Sequence, residues 1–224
     1  MCHASCVIFG ATSLNESEVK GRRVAELGSR DVNGSLRKIV ALWAPAEYVG
    51  LDIEPGPGVD IVCPAENAVE KLGAGTFDLV ISTEMLEHAR DWRKVVSNIK
   101  NLCKPGGTLL VTTRSFGFGY HSYPYDFWRF EPEDFRAIFS DCELIKLEKD
   151  APDPGVFLKA RKPLDFKENE LSRLEMYSMI AGKRVRDVDS AAVDRFLRKL
   201  NRYQRIRDSV YAAGKFVVSK VLGL

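Results

Sequence analysis

The chain has 224 residues, of which 45% are hydrophobic and 29% charged, and its formal net charge is +2. This size fits one α/β domain with an appendage or one large domain, and the composition is that of ordinary soluble globular proteins. No apolar run reaches the roughly 18 residues of a membrane-spanning helix. The small net charge gives no case for nucleic acid binding.

The charge is unevenly distributed along the chain. From Arg161 to Leu224 there are 15 Lys and Arg against 8 Asp and Glu, a balance of +7, which leaves −5 for residues 1–160. The basic C-terminal part is therefore a separate feature of the protein.

Cysteine usage indicates a reducing compartment. The chain has five cysteines, an odd number: Cys2, Cys6, Cys63, Cys103 and Cys142. Isolated cysteines within apolar patterns are typical of buried thiols in a cytoplasmic protein rather than of a disulfide framework. Cys2, His3 and Cys6 are close enough to share a metal ion, but a fourth ligand of a structural zinc site is not evident, so no metal is expected. The apolar run from Cys6 to Ala11 is too short for a signal peptide.

The first predicted elements are a strand over Arg22–Leu27, a turn at Gly28 and a helix over Ser35–Leu42. A strand that stops at a glycine turn and leads into a helix leaves backbone N–H groups pointing out of the sheet. This arrangement is typical of the start of a nucleotide-binding α/β domain. The spacing departs from G-x-G-x-x-G because an arginine and a valine stand between Gly28 and Gly34.

Strands and helices then alternate along the chain. Further strands are predicted over Glu47–Asp52, Val59–Val62, Phe77–Ser82 and Thr108–Thr113, helices over Glu66–Leu72, Trp92–Leu102 and Glu131–Phe139, and a terminal antiparallel hairpin from Cys142–Lys149 and Val156–Ala160. This order predicts an α/β fold with a doubly wound, mostly parallel seven-stranded sheet and right-handed crossovers. We expect the sheet domain at residues 1–163 and a basic helical extension at residues 164–224.

The extension has apolar residues at helical spacing with arginines between them. These residues are Val193, Phe196, Leu197, Leu200, Tyr203, Ile206 and Val210. Three interpretations stay open: a helical cap or dimerisation element, an interfacial helix at an anionic membrane, and an arm that binds RNA or substrate.

The segment Arg114–Phe130 interrupts the alternation with a long loop rich in aromatic residues. A loop of this length in a compact domain usually has a function. We therefore expect it to contribute to a functional site.

Five motifs occur in a fixed order along residues 22–162. They are Glu26-Leu27-Gly28 after the first strand, Asp52 at the end of the second, Glu84-Met85-Leu86-Glu87-His88 after the fourth, Lys104-Pro105-Gly106-Gly107 before the fifth, and Pro124-Tyr125-Asp126-Phe127-Trp128-Arg129-Phe130 in the aromatic loop. This order resembles class I S-adenosylmethionine-dependent methyltransferases, in particular small members of the "methyltransferase domain 11" type. The resemblance implies a Rossmann-like fold and S-adenosylmethionine as the cofactor.

The resemblance also implies a cofactor site at the carboxyl edge of the sheet. Its residues are Glu26, Gly28, Ser29, Arg30, Asn33, Asp52, Ile53, Ala65, Glu66, Thr83 and Glu84. Asp52 is placed to accept both ribose hydroxyls, Glu26 to accept from the methionine ammonium, and Gly28 to let the backbone approach the cofactor closely. The resemblance also assigns Arg30 and Asn33 to the cofactor carboxylate. It places Ile53 against an adenine face and Ala65 or Glu66 at the adenine amino group. Thr83 and Glu84 are expected near the methionine moiety and the methyl group.

Methyl transfer to a hydroxyl needs an aligned nucleophile and benefits from a general base. The chain has three histidines. His121, with Asp126 five residues on, is the preferred base candidate. His88 is the second, and Glu84 shares its face if a helical turn follows the fourth strand. The alternative for His88 is a structural ring bonded to backbone near the cofactor.

Substrate-binding residues are expected in the aromatic loop: Tyr120, Tyr125, Asp126, Trp128 and Arg129. These side chains could wall and orient the acceptor, with Arg129 either pairing with Asp126 or holding an anionic acceptor. The alternative is that Phe127, Trp128 and Phe130 pack the loop on the sheet.

The sequence thus predicts a cytoplasmic methyltransferase that acts on a small-molecule acceptor at a hydroxyl, in natural-product or glycan biosynthesis by family analogy. One alternative is an RNA or protein methyltransferase that uses the basic extension. Another is a cofactor-binding regulatory protein without transfer activity. No nucleic-acid partner is favoured, while membrane contact through the C-terminal helix and homodimer formation stay open.

Overall fold

The computed structural model describes residues 4–121, 125–150 and 152–222. The chain divides into two compact units, which part between Arg186 and Asp187. The first unit contains the sheet domain, and the second contains a long C-terminal helix.

The described strands, in chain order, are β1 (Arg23–Leu27), β2 (Glu47–Asp52), β3 (Ile61–Val62), β4 (Phe77–Thr83), β5 (Cys103–Arg114), β6 (Trp128–Arg129), β7 (Glu143–Asp150), β8 (Gly155–Arg161), β9 (Met176–Ser178) and β10 (Lys183–Val185). The helices are α1 (Ala4–Ser13), α2 (Glu16–Val19), α3 (Arg37–Leu42), α4 (Ala68–Leu72), α5 (Trp92–Leu102), α6 (Pro132–Ile138) and α7 (Ser190–Leu222), with 3-10 turns at Ala65–Asn67 and Leu86–His88.

The main sheet has seven strands in the order β3-β2-β1-β4-β5-β8-β7. The first five are parallel to one another, while β8 runs antiparallel to both β5 and β7. This confirms the predicted doubly wound, mostly parallel sheet with a terminal hairpin. Because the strand order reverses between β1 and β4, the carboxyl ends of these two strands open a crevice of the kind that binds ligands in such folds.

Alternation along β4 explains how the sheet is covered on both faces. Leu79 and Ile81 are fully buried, as is Val80 between them, and successive side chains of a strand point to opposite faces. Leu79 and Ile81 belong to the core cluster that also contains residues of α1 and α3, such as Phe9 and Val40. Strand β4 is thus buried on both sides, as its unbroken apolar run predicts.

Four predicted elements differ in their bounds by two residues or more. Strand β5 begins at Cys103 rather than Thr108, and helix α3 begins at Arg37 rather than Ser35. The third strand begins at Ile61 rather than Val59, because the N–H of Val59 closes a turn onto the carbonyl of Gly56. The helix expected over Glu66–Leu72 begins with the 3-10 turn before α4. Cys2 and His3 lie outside the described residues.

A second, three-stranded sheet extends the first unit beyond the predicted boundary. Its order is β10-β9-β6, with Arg129 opposite Tyr177 and the N–H of Met179 donating to the carbonyl of Phe127 at 2.8 Å. Residues 164–186 therefore belong with the sheet domain, and the boundary lies at Arg186 rather than near Pro163. The sequence missed β9 and β10 because three-residue strands carry too little periodicity, and their pairing with β6 spans nearly 50 residues.

Arg93 of α5 also holds the chain between the hairpin and β9. Its guanidinium donates to the carbonyls of Leu171 and Leu174, at 3.0 and 2.6 Å, and to the carbonyl of Arg186 at 2.8 Å. The planar fork of arginine suits several fixed acceptors at once.

The second unit contains α7. Asp189, just before its start, accepts the N–H of Ala192 at 2.6 Å, which satisfies one of the free donors of the first turn. In the described part of the chain, no helix combines the length and the apolar character needed to cross a membrane.

Candidate active site

Glu26 is a buried acid near the carboxyl end of β1. The hydroxyl of Tyr48 donates a hydrogen bond of 2.7 Å to Glu26 Oε2. Burial raises the pKa of Glu26 to about 7, although the hydrogen bond from Tyr48 lowers it. A cationic donor beside this carboxyl would stabilise its charged form, as the predicted methionine ammonium requires.

Asp52 is half-buried at the end of β2. Its Oδ2 accepts the backbone N–H of Arg30 and its Oδ1 accepts the backbone N–H of Glu54, each at 3.2 Å. These bonds fix the orientation of the carboxylate. Because each carboxylate oxygen can accept more than one hydrogen bond, both oxygens keep capacity for the predicted ribose hydroxyls.

Gly28 requires the absence of a side chain for a reason that the sequence did not indicate. Its φ is +79°, and a Cβ at this position would lie 2.6 Å from the side chain of Met85. The Met85 side chain therefore packs directly against the backbone of Gly28, and this contact joins the end of β1 to the segment after β4. Glycine is also the residue that adopts this left-handed backbone without strain.

The rest of the glycine loop turns towards β2 and the segment that follows it. The Arg30 guanidinium donates to Glu54 at 2.6 Å, and Asn33 is exposed. Ser29 is buried against Gly50, where a Cβ would lie 2.6 Å from the Ser29 hydroxyl. Of the two residues predicted to contact the cofactor carboxylate, Arg30 forms an ion pair with Glu54 and Asn33 lies at the surface.

The residues predicted to contact adenine are Ile53, which is exposed, and Ala65 and Glu66, whose turn is held by hydrogen bonds from Asn98. Ile53 is 47% exposed after β2. The amide of Asn98 donates to the carbonyls of Ala65 and Glu66, at 2.7 and 2.6 Å. Each carbonyl accepts one hydrogen bond from Asn98 and has a second lone pair, so these carbonyls and the Glu66 carboxylate are all candidate acceptors for an adenine amino group.

Glu84 leaves β4 in an unusual backbone conformation, with φ +52°, next to the buried Thr83. Its buried carboxylate forms an ion pair with Arg114, and the thiol of Cys6 donates to its Oε1 at 3.2 Å. The side chain of Glu84 therefore connects β4 to β5 and α1. These contacts join three elements of the fold, and they were not part of the role predicted for Glu84 at the cofactor.

Glu87 is the buried acid at the centre of a cluster with His88 and His121. Its side chain is fully buried, and the Thr113 hydroxyl donates to Oε2 at 2.9 Å. Its Oε1 lies 3.7 Å from His121 Nε2 and 3.9 Å from His88 Nε2. Burial acts to raise the pKa of Glu87, but the two imidazoles outweigh it and hold the pKa below its usual range. Because a 3-10 turn replaces the predicted helical turn here, Glu87 rather than Glu84 is the acid beside His88.

His121 lies between two carboxylates. Its Nδ1 is 3.1 Å from Asp126 Oδ2 and its Nε2 faces Glu87, while its backbone N–H donates to the same Asp126 oxygen at 2.9 Å. Burial acts to lower the pKa of His121, but the carboxylates of Asp126 and Glu87 outweigh it and raise the pKa to about 9. At neutral pH the His121 ring is therefore an imidazolium, the opposite of the state that a general base needs.

His88 has a defined tautomer because its Nδ1 lies 2.5 Å from the carbonyl oxygen of Tyr125. A carbonyl only accepts, so we assign the proton to Nδ1. The Nε2 atom lies on the side of the ring that faces Glu87, and the ring of His121 packs edge-on against the His88 ring at 4.8 Å between ring centres.

Glu87, His88 and His121 are also the group of described residues that could hold a metal ion. One ligand atom from each side chain falls within 4.8 Å of the others. Imidazole and carboxylate groups at this spacing are suited either to a metal ion or to proton transfer. The sequence analysis expected no metal.

Asp126 and Arg129 form a buried two-bond ion pair, with 2.5 and 2.6 Å between guanidinium and carboxylate. Burial acts to raise the pKa of Asp126, but the hydrogen bonds from Arg129 hold it below its usual range. Arg129 also donates to the carbonyls of Phe118 and Gly119, at 3.2 and 2.8 Å. Of the two predicted roles for Arg129, the structure therefore shows the pairing with Asp126, which folds the aromatic loop around His121.

The aromatic loop divides into packed and accessible residues. Trp128 is fully buried and its indole N–H donates to the carbonyl of Ala89 at 3.0 Å, so it packs the loop on the sheet domain. Tyr120 is half-buried and Tyr125 is 37% exposed, which suits contact with an acceptor. Phe118 lies under the Arg114 guanidinium, 4.1 Å from ring centre to carbon.

Sequence reasoning missed several residues that the structure brings to the site. Glu87 belongs to the recognised motif after β4, yet nothing local distinguishes its role from that of Glu84. Cys6 and Arg114 reach Glu84 from α1 and β5, and only tertiary packing unites them.

Comparisons with known proteins identify the family. A family model described as a methyltransferase domain matches residues 16–149, more than half of the chain. The ubiquinone biosynthesis O-methyltransferase of Chromobacterium violaceum is 33% identical over 113 residues, and that of Burkholderia ambifaria is 28% identical over 107 residues. Each match covers 43% of this chain and 46% of the relative, so the chain spans less than half the length of these curated relatives.

Solved structures share the fold. The 1,6-didemethyltoxoflavin-N1-methyltransferase of Burkholderia thailandensis, crystallised with 1,6-didemethyltoxoflavin and S-adenosylhomocysteine, matches with a TM-score of 0.56 at 16% identity, over 71% of this chain and 79% of its own. An S-adenosylmethionine-dependent methyltransferase of Mesorhizobium loti matches with a TM-score of 0.50 at 16% identity, over 68% and 95%. The family match confirms the predicted enzyme class and methyl donor. The chain belongs to the class I S-adenosylmethionine-dependent methyltransferases.

Proposed function

We propose that this chain transfers the methyl group of S-adenosylmethionine to a hydroxyl of a small-molecule acceptor, in natural-product or glycan biosynthesis. Membership of the methyltransferase family supports the reaction type. Relatives named ubiquinone biosynthesis O-methyltransferase, and a structural neighbour bound to 1,6-didemethyltoxoflavin, support a small-molecule acceptor.

The observation that carries the hydroxyl acceptor is the pair of histidines beside Glu87. His88 donates from Nδ1 to a backbone carbonyl, so its Nε2 is free to accept a proton. His121 has a carboxylate opposite each ring nitrogen, so it is better suited to orient and to stabilise charge than to accept a proton. We therefore assign the general base to His88 and a positioning role to His121, the reverse of the predicted preference.

The remaining residues supply binding and alignment. Asp52 and Glu26 would hold the ribose and the methionine ammonium of the cofactor, which supplies an electrophilic methyl group when bound. When the acceptor hydroxyl takes the methyl group, its proton would pass to His88 Nε2. Tyr120 and Tyr125 would border the acceptor, and alignment alone contributes much of the rate.

Substitution of His88 tests this assignment. With radiolabelled S-adenosylmethionine and a panel of phenols, catechols and sugars, His88→Gln should lower turnover by about 10²–10⁴-fold, as expected for loss of a general base. The affinity for S-adenosylhomocysteine, measured by calorimetry, should stay unchanged. His121→Gln should affect turnover less than His88→Gln.

Other outcomes would replace the proposal. Turnover that survives His88→Gln would remove His88 as the base. Loss of turnover on dialysis against EDTA, with recovery on Mg²⁺ addition, would make the cluster a metal site. Labelling of RNA or protein in place of small molecules would favour the alternative acceptor, and cofactor binding without any transfer would favour a regulatory protein.

A further inference from the structure

Arg114 is a buried cation at the carboxyl end of β5. Its side chain is 5% exposed, and its Nε atom faces Glu84 in an ion pair. Within the described residues, no acceptor forms a hydrogen bond with its buried Nη1 atom. Because a buried guanidinium N–H group without an acceptor is costly, such a group indicates that an acceptor from outside the chain binds there. The Nη1 atom of Arg114 is therefore a candidate donor to a ligand.

Glu84 and Phe118 fix the orientation of this guanidinium. Glu84 pairs with it from the end of β4, and the backbone N–H of Glu84 donates to the carbonyl of Thr112 on β5 at 3.0 Å. Glu84 has a left-handed backbone, with φ +52°, and such outliers cluster at functional sites. The guanidinium lies over the Phe118 ring. In that position an arginine keeps its in-plane N–H groups for hydrogen bonds.

The same phenylalanine connects Arg114 to the proposed catalytic histidines. The Phe118 ring meets the His121 ring edge-on, with 5.0 Å between ring centres. Arg114 stands on β5, which β4 separates from β1. At the usual strand spacing, this sets β5 on the order of 10 Å from the strand of Glu26. A ligand group at Arg114 is therefore placed beside the proposed acceptor side.

The charge of Arg114 favours a negatively charged ligand. Arginine keeps its proton at every ordinary pH. Burial and the Glu87 carboxylate raise the pKa of Glu84 well above its usual value, although Arg114 lowers it. Glu84 therefore compensates the charge of Arg114 less fully than an ordinary carboxylate does. The other arginine near Phe118, Arg129, is already paired with a carboxylate.

We propose that Arg114 binds a carboxylate group of the acceptor, so that the acceptor is a hydroxylated carboxylic acid. The acceptor class rests on the proposed function, because it names the substrate of that reaction. A carboxylate has one negative charge and planar oxygens, which match the guanidinium in charge and geometry. It takes a hydrogen bond from Nη1, and rotation of the half-buried Phe118 ring admits it. The acceptor hydroxyl is then held towards His88 and His121.

Calorimetry with the full chain, saturated with S-adenosylhomocysteine, tests the proposal without any turnover. The probes are two matched pairs, hydroxybenzoates with hydroxybenzamides and glucuronate with glucose. In at least one pair the acid should bind about tenfold or more tightly than its uncharged partner, as expected for a hydrogen bond between charged groups. Arg114→Gln should remove this preference by weakening the acid alone. Arg114→Lys, which keeps the charge but not the planar fork, should retain part of it.

A matched control removes an exposed arginine from the same sheet. Arg161→Gln, at the end of β8, should keep the preference for the acid. A folding defect lowers the affinity for both members of a pair and for S-adenosylhomocysteine together. The ratio of the two affinities in a pair therefore isolates the role of Arg114.

Three results would each overturn the proposal. Acids that bind no better than their uncharged partners in both pairs would leave water as the acceptor at Nη1. Loss of S-adenosylhomocysteine affinity in Arg114→Gln, with the acid preference unchanged, would assign Arg114 to the cofactor carboxylate. Tighter binding of phenyl phosphate than of the hydroxybenzoates would assign it to a phosphate group. Absence of methyl transfer contradicts the proposed function, whereas loss of the acid preference contradicts the role of Arg114, so the two failures are distinguishable.

Discussion

The proposed cofactor side, with Glu26 and Asp52, and the proposed acceptor side, with Glu87 and His121, are assembled from the chain in different ways. On the cofactor side, the acids Glu26 and Asp52 stand at the ends of neighbouring parallel strands, and backbone N–H groups close in sequence orient Asp52. On the acceptor side, Glu87 lies beside His121 from a loop more than 30 residues later. That loop is in turn paired through β6 with β9, almost 50 residues beyond it.

This difference indicates where each side is vulnerable. A site built from strand ends depends on the sheet, which the whole first unit stabilises. A site built from a loop depends on a few buried ionic contacts, and a buried ion pair that loses one partner leaves an uncompensated charge. The predictions below separate these two kinds of dependence.

The largest effect is expected at Arg129, which holds the acceptor-side loop. Arg129→Ala leaves the Asp126 carboxylate buried without its guanidinium partner, so the free energy of unfolding should fall by about 3–5 kcal/mol. Chemical denaturation measures this. Arg136→Ala, which removes an exposed pair with Glu133, is the control and should change little. If the Arg129→Ala protein that stays folded also loses affinity for S-adenosylhomocysteine, the cofactor side depends on the acceptor-side loop.

The second effect concerns the cofactor side alone. Asp52→Ala removes the proposed acceptor for two ribose hydroxyls. Two hydrogen bonds to a charged group, at about 1.5 kcal/mol each, correspond to roughly a hundredfold loss of S-adenosylhomocysteine affinity. Titration calorimetry measures it. Glu54→Ala, which removes the exposed partner of Arg30, should leave the affinity within a few-fold. Equal losses in both variants would assign the effect to the loop rather than to Asp52.

The third prediction is a pH dependence of the acceptor side. His121 has a pKa raised to about 9, so its contribution to stability is fully present below its unfolded pKa of about 6.5 and is lost as the pH rises through 9. Nitrogen-15 spectra of the three histidines should show one ring that titrates near 9. Glu87→Gln should lower that pKa, because one of the two carboxylates is removed. A His121 ring that titrates near 6.5 would contradict the ion-pair geometry.

The smallest effect is expected at Tyr48, which supports Glu26. Tyr48→Phe removes one hydrogen bond to a buried carboxylate, a change of about 1–2 kcal/mol in favour of the protonated acid. The pKa of Glu26 should rise further above about 7, and the affinity for S-adenosylhomocysteine should fall as the pH is lowered through this pKa. A pH-independent affinity would show that Glu26 does not contact the ligand's charged group.

The fold and the order of the motifs could be predicted because they depend on local patterns. The strands of the sheet could be predicted from apolar runs of strand length. The glycine turn and the acids at the strand ends then predicted where Glu26 and Asp52 lie, without any knowledge of distant contacts. The resemblance then placed the motif after β4 and the aromatic loop at the same edge of the sheet.

Two features were beyond sequence reasoning because they depend on contacts between distant segments. The domain boundary lies at Arg186 rather than at the predicted residue 163 because β9 pairs with β6. Strands as short as β9 have no recognisable sequence pattern and form only by pairing with another strand. The close contact between Gly28 and the side chain of Met85 is the second such feature, while the approach of the cofactor to Gly28 stays a prediction.

The amino-acid sequence by itself determined the α/β fold and the family, and it placed Glu26 and Asp52 at the ends of neighbouring strands. Only the tertiary structure decided that Glu87 faces His88 and His121 and that His121 lies between two carboxylates. The physical reason is that a protonation state depends on burial and on nearby charges, which are set by residues far apart in the chain.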